Sequence, residues 1–181
     1  MFVATRINIA DIKNELLTKE NYDPFFDCSF NDDMGLNEFY HTEALEFQRE
    51  RLGITYQFSY YKKTIGFVTL AMYSIQREKI PEDDQLPIRI RHYPALLLGR
   101  LASDNRFRGQ GVGTFLLKWS IGAAVTFSRN IGCRYLILQT NEERTNWYQD
   151  SKRGMKPLEV IKRRNRPDDW WFFKRLDIDE L

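Results

Sequence analysis

The sequence has 181 residues, of which 43% are hydrophobic and 14% aromatic, and its 27 basic side chains nearly balance 25 acidic ones. This length and composition are typical of one folded domain with a single core, and they exclude a largely disordered chain. We therefore expect one domain over residues 1–181. The formal net charge of +2 does not require a polyanionic partner.

Residues that bind metals or form disulfides are few. Cys28 and Cys133 lie far apart and match no zinc-binding spacing, so we predict two buried free thiols rather than a disulfide. His41 and His92 are the only histidines, and we expect no metal. No window approaches the roughly 20 apolar residues of a membrane span, and the N-terminus has no signal-peptide pattern. These features predict a cytoplasmic protein with no membrane partner.

Hydrophobic periodicity divides the first half of the chain into strands and one longer helix. From Leu36 the apolar residues recur at helical spacing, and Gly53 is a typical residue for the end of that helix. The strand pattern that follows is interrupted at Lys62-Lys63, which indicates a hairpin connection. The predicted elements are a strand over residues 2–9, a short helix over 10–17, a helix from Leu36 to about Gly53, and strands over 54–61 and 64–73. The last strand has apolar residues on both faces, so we expect it in the middle of a sheet.

The second half begins with a long polar segment. Residues 76–92 contain Pro81 and Pro87, which predicts a loop that forms part of a substrate rim. The elements predicted beyond it are strands over residues 94–102, 134–140, 158–162 and 170–176, a helix over 112–128, and a short helix over 144–150. The first half of the chain is thus rich in strands, and the second half has the order strand, helix, strand. This order of elements indicates an α/β or α+β sheet domain.

The strand over residues 94–102 is followed by Arg108-Gly109-Gln110-Gly111-Val112-Gly113, where three glycines meet the start of a helix. Backbone N–H groups at a helix N-terminus, together with the helix dipole, favour an anion. We predict a phosphate or pyrophosphate site, with a turn that needs glycine for its geometry alone as the alternative. A P-loop is excluded because Thr114 follows Gly113 without the required lysine. A dinucleotide fold is disfavoured because the turn comes after about 100 residues.

The pattern Arg108-x-x-Gly111-x-Gly113, between a buried strand and an amphipathic helix, resembles the acetyl-CoA motif of the GNAT superfamily of N-acetyltransferases. The resemblance implies the GNAT fold: a mixed, mostly antiparallel sheet of about seven strands with flanking helices and one splayed strand pair. It also implies that the turn holds the CoA pyrophosphate and that the preceding strand end pairs with pantetheine. The cofactor-binding residues predicted in this way are Leu101, Ala102, Ser103, Arg108, Gly109, Gln110, Gly111, Val112, Gly113, Thr114 and Asn141.

A second match follows the next predicted strand. Asn141 precedes Tyr148 by seven positions, a spacing common in GNAT proteins. The resemblance implies that Tyr148 is the catalytic general acid that protonates the CoA thiolate, with a packing tyrosine as the alternative. The family usually has a glycine four residues beyond the tyrosine, whereas Gly154 stands six beyond it. The segment Ser151-Lys152-Arg153 is therefore either a small insertion or a shift of the helix.

A narrower resemblance is to the GNAT subgroup that contains the acetyltransferase toxins of bacterial toxin–antitoxin pairs. It depends on the strand Leu98-Gly99-Arg100-Leu101-Ala102-Ser103-Asp104, on Leu36-Asn37, and on the segment from Gly66 to Ala71. Those toxins acetylate the α-amine of aminoacyl-tRNA, so tRNA is a predicted partner. The basic residues that would contact it are Lys152, Arg153, Lys156, Lys162, Arg163, Arg164 and Arg166, with a solvated charged face as the alternative.

No residue is predicted as the general base. The strand over residues 94–102 carries no carboxylate. The alternatives are Asp104, Glu142, Glu143, a water relay, or an amine that enters neutral. The ending Trp170-Trp171-Phe172-Phe173 predicts a strand with one face in the core and the other at a dimer interface or acyl-site wall. Nucleobase stacking is the alternative.

We therefore expect an N-acetyltransferase that moves an acetyl group from acetyl-CoA to a primary amine by direct attack, because neither cysteine lies in an evident nucleophile setting. A backbone N–H near Leu101 or Ala102 would hold the oxyanion, in a gap between the strands ending near Ser103 and Thr140. Two alternatives stay open: a toxin-like enzyme acting on aminoacyl-tRNA, and a non-catalytic CoA-binding module. The acceptor is not identified, and a homodimer is a further expectation.

Overall fold

The computed structural model describes residues 7–158 and 170–176. The seven strands in this part of the chain form one sheet in the order β1-β2-β3-β4-β5-β7-β6. They are β1 (Ile12–Leu16), β2 (Ile54–Tyr60), β3 (Lys63–Gln76), β4 (His92–Ser103), β5 (Tyr135–Thr140), β6 (Lys156–Pro157) and β7 (Trp170–Arg175). Strands β4 and β5 pair in parallel, whereas β1–β2, β2–β3, β5–β7 and β6–β7 are antiparallel. The predicted mixed, mostly antiparallel α/β sheet is confirmed.

The helices agree with the sequence periodicity. They are α1 (Leu36–Glu38), α2 (Ala44–Arg49), α3 (Val112–Ile131) and α4 (Thr145–Gln149), and a π-helical turn over Phe39–Glu43 joins α1 to α2. The wider turn accompanies the burial of two adjacent large side chains, since Phe39 and Tyr40 are only 2% and 1% exposed. The helix predicted from Leu36 is thus continuous, with a local widening that periodicity does not reveal.

The chain divides into two compact units. One comprises Met1–Leu70 with Arg100–Leu117, and the other comprises Ala71–Gly99 with Lys118–Leu181. Strands β3 and β4 and helix α3 run through both units. The single domain expected over residues 1–181 stays a prediction.

A cluster of aromatic rings lies in the core of the first unit. Phe26, Tyr40 and Phe67 are each 2% exposed or less. The ring centroid of Tyr40 lies 4.5 Å from that of Phe26 and 5.2 Å from that of Phe67. The Tyr40 hydroxyl donates to Gln57, and burial raises the pKa of Tyr40 to about 12. A satisfied hydroxyl allows this large ring to lie fully inside the core.

In the second unit, a buried aspartate attaches the long loop before β4. The predicted loop is confirmed between β3 and β4, with two short 3-10 turns. Its Asp84 carboxylate accepts hydrogen bonds from Lys156 Nζ on both oxygens, at 2.9 and 2.8 Å. Its backbone carbonyl accepts from the Tyr135 hydroxyl at 2.7 Å. The loop is therefore held to β5 and β6 by side chains and backbone together.

Replacing Asp84 by alanine is expected to lower the free energy of unfolding by about 1–3 kcal/mol, because the charge-assisted bonds to Lys156 are lost. Urea unfolding measures the change. Asp83→Ala is the matched control, since Asp83 is the exposed neighbour in the same 3-10 turn. Equal stability of the two variants would contradict the role given to Asp84.

The N-terminal predictions are wrong where the structure describes them. Residues 10–17 do not form a helix: a 3-10 turn over Ile9–Asp11 leads into β1, which pairs with β2 from Ile12↔Tyr60 to Leu16↔Tyr56. Ladder hydrogen bonds to β2 outweigh the weak local helical pattern. The strand predicted over residues 2–9 lies mostly outside the described residues, as does the strand predicted over 158–162.

Both cysteines are buried free thiols, as predicted: Cys28 is 7% and Cys133 8% exposed. Burial raises the pKa of the Cys133 thiol. Within residues 7–158 and 170–176, none of the helices has the length and apolar character needed to cross a bilayer.

Candidate active site

The glycine-rich turn before α3 presents several backbone N–H groups that have no backbone acceptor among the described residues. Gly109 and Gly111 have φ values of +74° and +87°, and a Cβ at either position would meet nothing within 4 Å. The first hydrogen bond of α3 runs from the Phe115 N–H to the Gly111 carbonyl at 3.0 Å. In the described part of the chain, the N–H groups of Gly109, Gly111, Val112 and Gly113 have no backbone acceptor. The turn is thus open and lined by donors, as an anion site requires.

The entry to this turn is fixed by the buried carboxylate of Asp104, which is 0% exposed. It accepts the backbone N–H of Asp27 at 3.0 Å and that of Arg106 at 2.8 Å. Nε and Nη2 of Arg106 also donate to it, each at 2.7 Å. Because both carboxylate oxygens are engaged, this geometry argues against Asp104 as the general base.

Replacing Asp104 by alanine is expected to lower the free energy of unfolding by about 2–4 kcal/mol, because two backbone N–H groups lose their acceptor along with the charge-assisted pair. Arg106→Ala removes only the guanidinium donors and is expected to cost less. Urea unfolding of both variants tests the order. A larger loss in Arg106→Ala would show that the backbone donors contribute little.

The side chain of Arg108 is directed to a neighbouring loop. Its guanidinium lies 4.2 Å from the ring centroid of Phe30, and Nη1 donates to the Phe30 carbonyl at 3.1 Å. A stacked cation of this kind stabilises the loop against the turn. The predicted contribution of Arg108 to cofactor binding stays a prediction.

The strand end Leu101–Ser103 is set by close packing against Gly66. A Cβ at Gly66 would lie 2.6 Å from the Ala102 carbonyl oxygen and 2.7 Å from Leu116 Cδ1, so only glycine fits there. The parallel register of β4 with β5 covers Ala95–Leu98, and β4 continues beyond it to Ser103. This short register supports the expected splayed strand pair.

Tyr148 lies inside α4 and is 8% exposed. Its ring centroid lies 5.6 Å from that of Phe172 and 4.8 Å from that of Trp147. Burial raises the pKa of Tyr148 to about 12, against weaker opposite effects of Arg144 and Arg153. No hydrogen-bond partner of its hydroxyl is found among the described residues. The phenol is therefore held in place by packing, with no hydrogen-bond acceptor among the described residues.

The residues between Tyr148 and Gly154 form a turn after α4. The Asp150 carboxylate accepts the Lys152 N–H at 2.9 Å and pairs with Arg153 Nη1 at 3.0 Å. Helix α4 ends at Gln149, before this turn. Of the two alternatives left open by the sequence, the structure supports an insertion outside the helix, which leaves Tyr148 within it.

The predicted site residues fall into two groups. The strand end and the turn lie in the first unit, and Asn141 and Tyr148 lie in the second. Asn141 is half-buried and precedes the 3-10 turn over Glu142–Arg144. The described residues contain no cluster of three or more His, Cys, Asp or Glu that could hold a metal.

The basic residues predicted to contact RNA are only partly available for that role. Arg153 stacks on Trp147 at 4.0 Å and pairs with Asp150, and Lys156 pairs with Asp84. Lys152 is exposed. The other four predicted residues, Lys162, Arg163, Arg164 and Arg166, lie outside the described residues.

Both faces of β7 are buried, and the dimer interface or acyl-site wall predicted for one of them stays a prediction. Phe172 and Phe173 are adjacent, so they lie on opposite faces of the strand, and both are 0% exposed. The core therefore continues on both sides of β7. The other four side chains of the strand, Trp170, Trp171, Lys174 and Arg175, are only partly buried.

Comparison with known proteins agrees with this architecture. No family model matches the sequence. Over 81 residues the chain is 32% identical to a tRNA-acetylating toxin of Mycobacterium tuberculosis, and the match spans 42% of this chain and 45% of that protein. The chain thus matches less than half the length of this curated relative.

Two solved structures are similar over nearly the whole chain. AtaT complexed with acetyl-methionyl-tRNAfMet has a TM-score of 0.74 and 25% identity, covering 90% of this chain and 94% of that one. AtaTR bound with AcCoA has a TM-score of 0.70 and 25% identity, covering 93% and 95%.

The fold and the glycine-rich turn define a GNAT-type acetyltransferase architecture, so the resemblance inferred from the turn is confirmed. Within that class the chain is similar to the toxin-type members.

Proposed function

We propose that this protein is an acetyl-CoA-dependent N-acetyltransferase whose acceptor is the α-amine of aminoacyl-tRNA. The proposal rests on the open turn at Gly109–Gly113, where the N–H groups of Gly109, Gly111, Val112 and Gly113 have no backbone acceptor among the described residues. The acceptor class is supported by the similarity to a tRNA-acetylating toxin and to AtaT in complex with acetyl-methionyl-tRNAfMet.

The donor site fits acetyl-CoA in its chemistry. The N–H groups of Gly109, Gly111, Val112 and Gly113 are suited to the pyrophosphate, and the open space at both positive-φ glycines leaves room for it. Backbone groups of Leu101–Ser103 beyond the β5 register are suited to the amides of pantetheine. Asn141, Gln110 and Thr114 complete the proposed set.

The proposed reaction is a direct transfer. The acceptor nitrogen attacks the thioester carbonyl, a C–N bond forms, and the C–S bond breaks as CoA thiolate leaves. Tyr148 gives its proton to that thiolate, and the nitrogen loses a proton to water. The Tyr148 phenolate then takes a proton back from water, so the enzyme is regenerated with no net change in protons. A backbone N–H near Leu101 or Ala102 stabilises the oxyanion.

Strand β4 carries no carboxylate that could act as general base, and this favours an acceptor that needs none, such as an α-amine. An α-amine has an ordinary pKa of about 7.7–8.0, whereas that of a lysine side chain is about 10.4. A large fraction of an α-amine is therefore neutral near pH 7.5 without help from the protein. Asp104, the carboxylate that follows β4, is already engaged by Asp27 and Arg106.

The test is acetylation by the purified full chain with labelled acetyl-CoA. Label is expected in methionyl-tRNA, and not in deacylated tRNA or in a lysine peptide. Labelling of the peptide but not of methionyl-tRNA would show that the proposed acceptor is wrong, although the protein would still be an acetyl-CoA-dependent N-acetyltransferase. Tight acetyl-CoA binding by calorimetry, with no transfer to any amine, would favour the non-catalytic module instead.

A further inference from the structure

A cavity of about 360 Å³ lies in the second unit, and its lining includes no residue of the proposed cofactor turn. Its walls come from the end of β3, the start of β4 and the start of β7, together with Lys79 and Leu158. The side chains that line it include Tyr73, Ser74, Gln76, Lys79, His92 and Trp171. This volume is sufficient for one planar heteroaromatic ring system.

One end of the cavity is an aromatic platform. The rings of Tyr73 and Trp171 lie with centroids 5.8 Å apart and planes 32° from parallel. Tyr73 is 38% exposed, so part of its ring is accessible. Nε1 of Trp171 is buried and has no hydrogen-bond partner in the described part of the chain. A buried indole N–H without an acceptor is costly, and a ligand carrying an acceptor would relieve that cost.

The other end of the cavity adjoins a larger depression that is lined by both basic and acidic side chains. A second cavity, of about 810 Å³, shares Gln76, Lys79 and His92 with the first and extends to Arg91. Lys79 and Arg91 are exposed, and neither has a side-chain partner among the described residues. Glu78 and Glu82 also line this depression. An aromatic platform that leads into a groove with free cations is the arrangement that binds the end of a single nucleic-acid strand.

The strand register places the platform next to the proposed reaction centre within the second unit. Trp171 pairs with Gln139, and Trp170 pairs with Thr140 at the end of β5. Asn141 follows directly. A ring stacked on Tyr73 and Trp171 would therefore lie a short distance from the strand end at which the acetyl group is transferred.

We propose that this cavity binds the 3′-terminal nucleobase of the acceptor RNA. The base stacks on Tyr73 and Trp171, one of its ring nitrogens or carbonyls accepts from Trp171 Nε1, and the adjoining phosphates lie near Lys79 and Arg91. This assignment depends on the proposed function for the identity of the RNA. The chemistry of the cavity does not depend on it.

The first test measures binding without catalysis, on the full chain. The probe is the trinucleotide CCA, and its binding is measured by the quenching of tryptophan fluorescence and by calorimetry. Tyr73→Ala and Trp171→Leu are each expected to weaken CCA binding about tenfold, the usual effect of removing one stacking side chain. Met72→Ala is the matched control, because Met72 is exposed on the same strand and points to the opposite face. Equal affinity of wild type and both cavity variants would overturn the proposal.

The second test separates a base from an amino-acid side chain as the occupant. Tyr73→Ala is expected to raise KM for methionyl-tRNA about tenfold, while KM for acetyl-CoA and the rate with methionine methyl ester stay unchanged. An equal loss with the ester would show that the cavity holds the methionyl group, and would overturn the proposal. If the chain acetylates no tRNA, the proposed function fails, whereas loss of CCA binding in the cavity variants would still support the base site.

Discussion

Replacing Tyr148 by phenylalanine is expected to lower kcat about 100- to 10,000-fold, the usual range for loss of a positioned general acid. The Kd for acetyl-CoA should stay within about twofold, because the ring packing against Phe172 and Trp147 is kept and only the hydroxyl is removed. Single-turnover kinetics with aminoacyl-tRNA and calorimetry with acetyl-CoA measure the two quantities separately.

The pH dependence of the rate is a second measurement that tests the role of Tyr148. A general acid acts in its protonated form, and a pKa of about 12 keeps Tyr148 protonated throughout the range in which the protein can be assayed. The rate of the wild type should therefore rise as the acceptor amine loses its proton and then stay level up to about pH 10. Tyr61→Phe is the matched control, because Tyr61 is 73% exposed and should change neither rate nor profile. An unchanged kcat in Tyr148→Phe would remove Tyr148 as the acid.

Replacing Gly111 by valine is expected to weaken acetyl-CoA binding at least tenfold. The φ of +87° is strained by about 1–3 kcal/mol for a side chain branched at Cβ, so the turn must change its conformation. That change displaces the N–H groups of Gly111 and Val112 from the positions proposed to bind the pyrophosphate. Calorimetry with acetyl-CoA and with CoA alone measures the loss, which should be equal for both because the pyrophosphate is common to them.

Gly122→Ala is the control for this substitution. Gly122 lies in the interior of α3, has no positive φ, and has open space where a Cβ would be placed. Alanine there should raise the free energy of unfolding by up to about 1 kcal/mol and leave acetyl-CoA binding unchanged. Tight acetyl-CoA binding by Gly111→Val would mean that the turn is not the pyrophosphate site.

The parts of the fold that were predictable are those with strong local patterns. Strand β3 and helix α3 combine long, regular apolar spacing with clear ends, so their type and approximate bounds follow from the sequence. The glycine-rich turn was also predictable, because a positive φ, as at Gly109 and Gly111, favours glycine and is therefore visible in the sequence. The family resemblance followed from that turn together with the spacing of Asn141 and Tyr148.

The parts that were not predictable depend on contacts between distant segments. Strand β1 forms only because β2 offers it a partner, and its own five residues carry no clear alternation. The sequence shows that Asp104 follows a strand. It does not show that the Asp104 carboxylate accepts a hydrogen bond from the N–H of Asp27, 77 residues away. The bond from Lys156 to Asp84 likewise spans 72 positions. A single sequence contains no signal for such pairs, since each partner alone looks like an ordinary surface charge.

The burial of both cysteines has a practical consequence for following the reaction. A thiol reacts with an aromatic disulfide reagent only when it is accessible and can form the thiolate, and Cys133 is hindered on both counts. Cys28 is enclosed to the same degree. Released CoA is then the readily reactive thiol in a native reaction mixture, so turnover can be recorded continuously by absorbance on the unaltered chain. The same reagent reports unfolding, because both protein thiols become titratable once the two cores open.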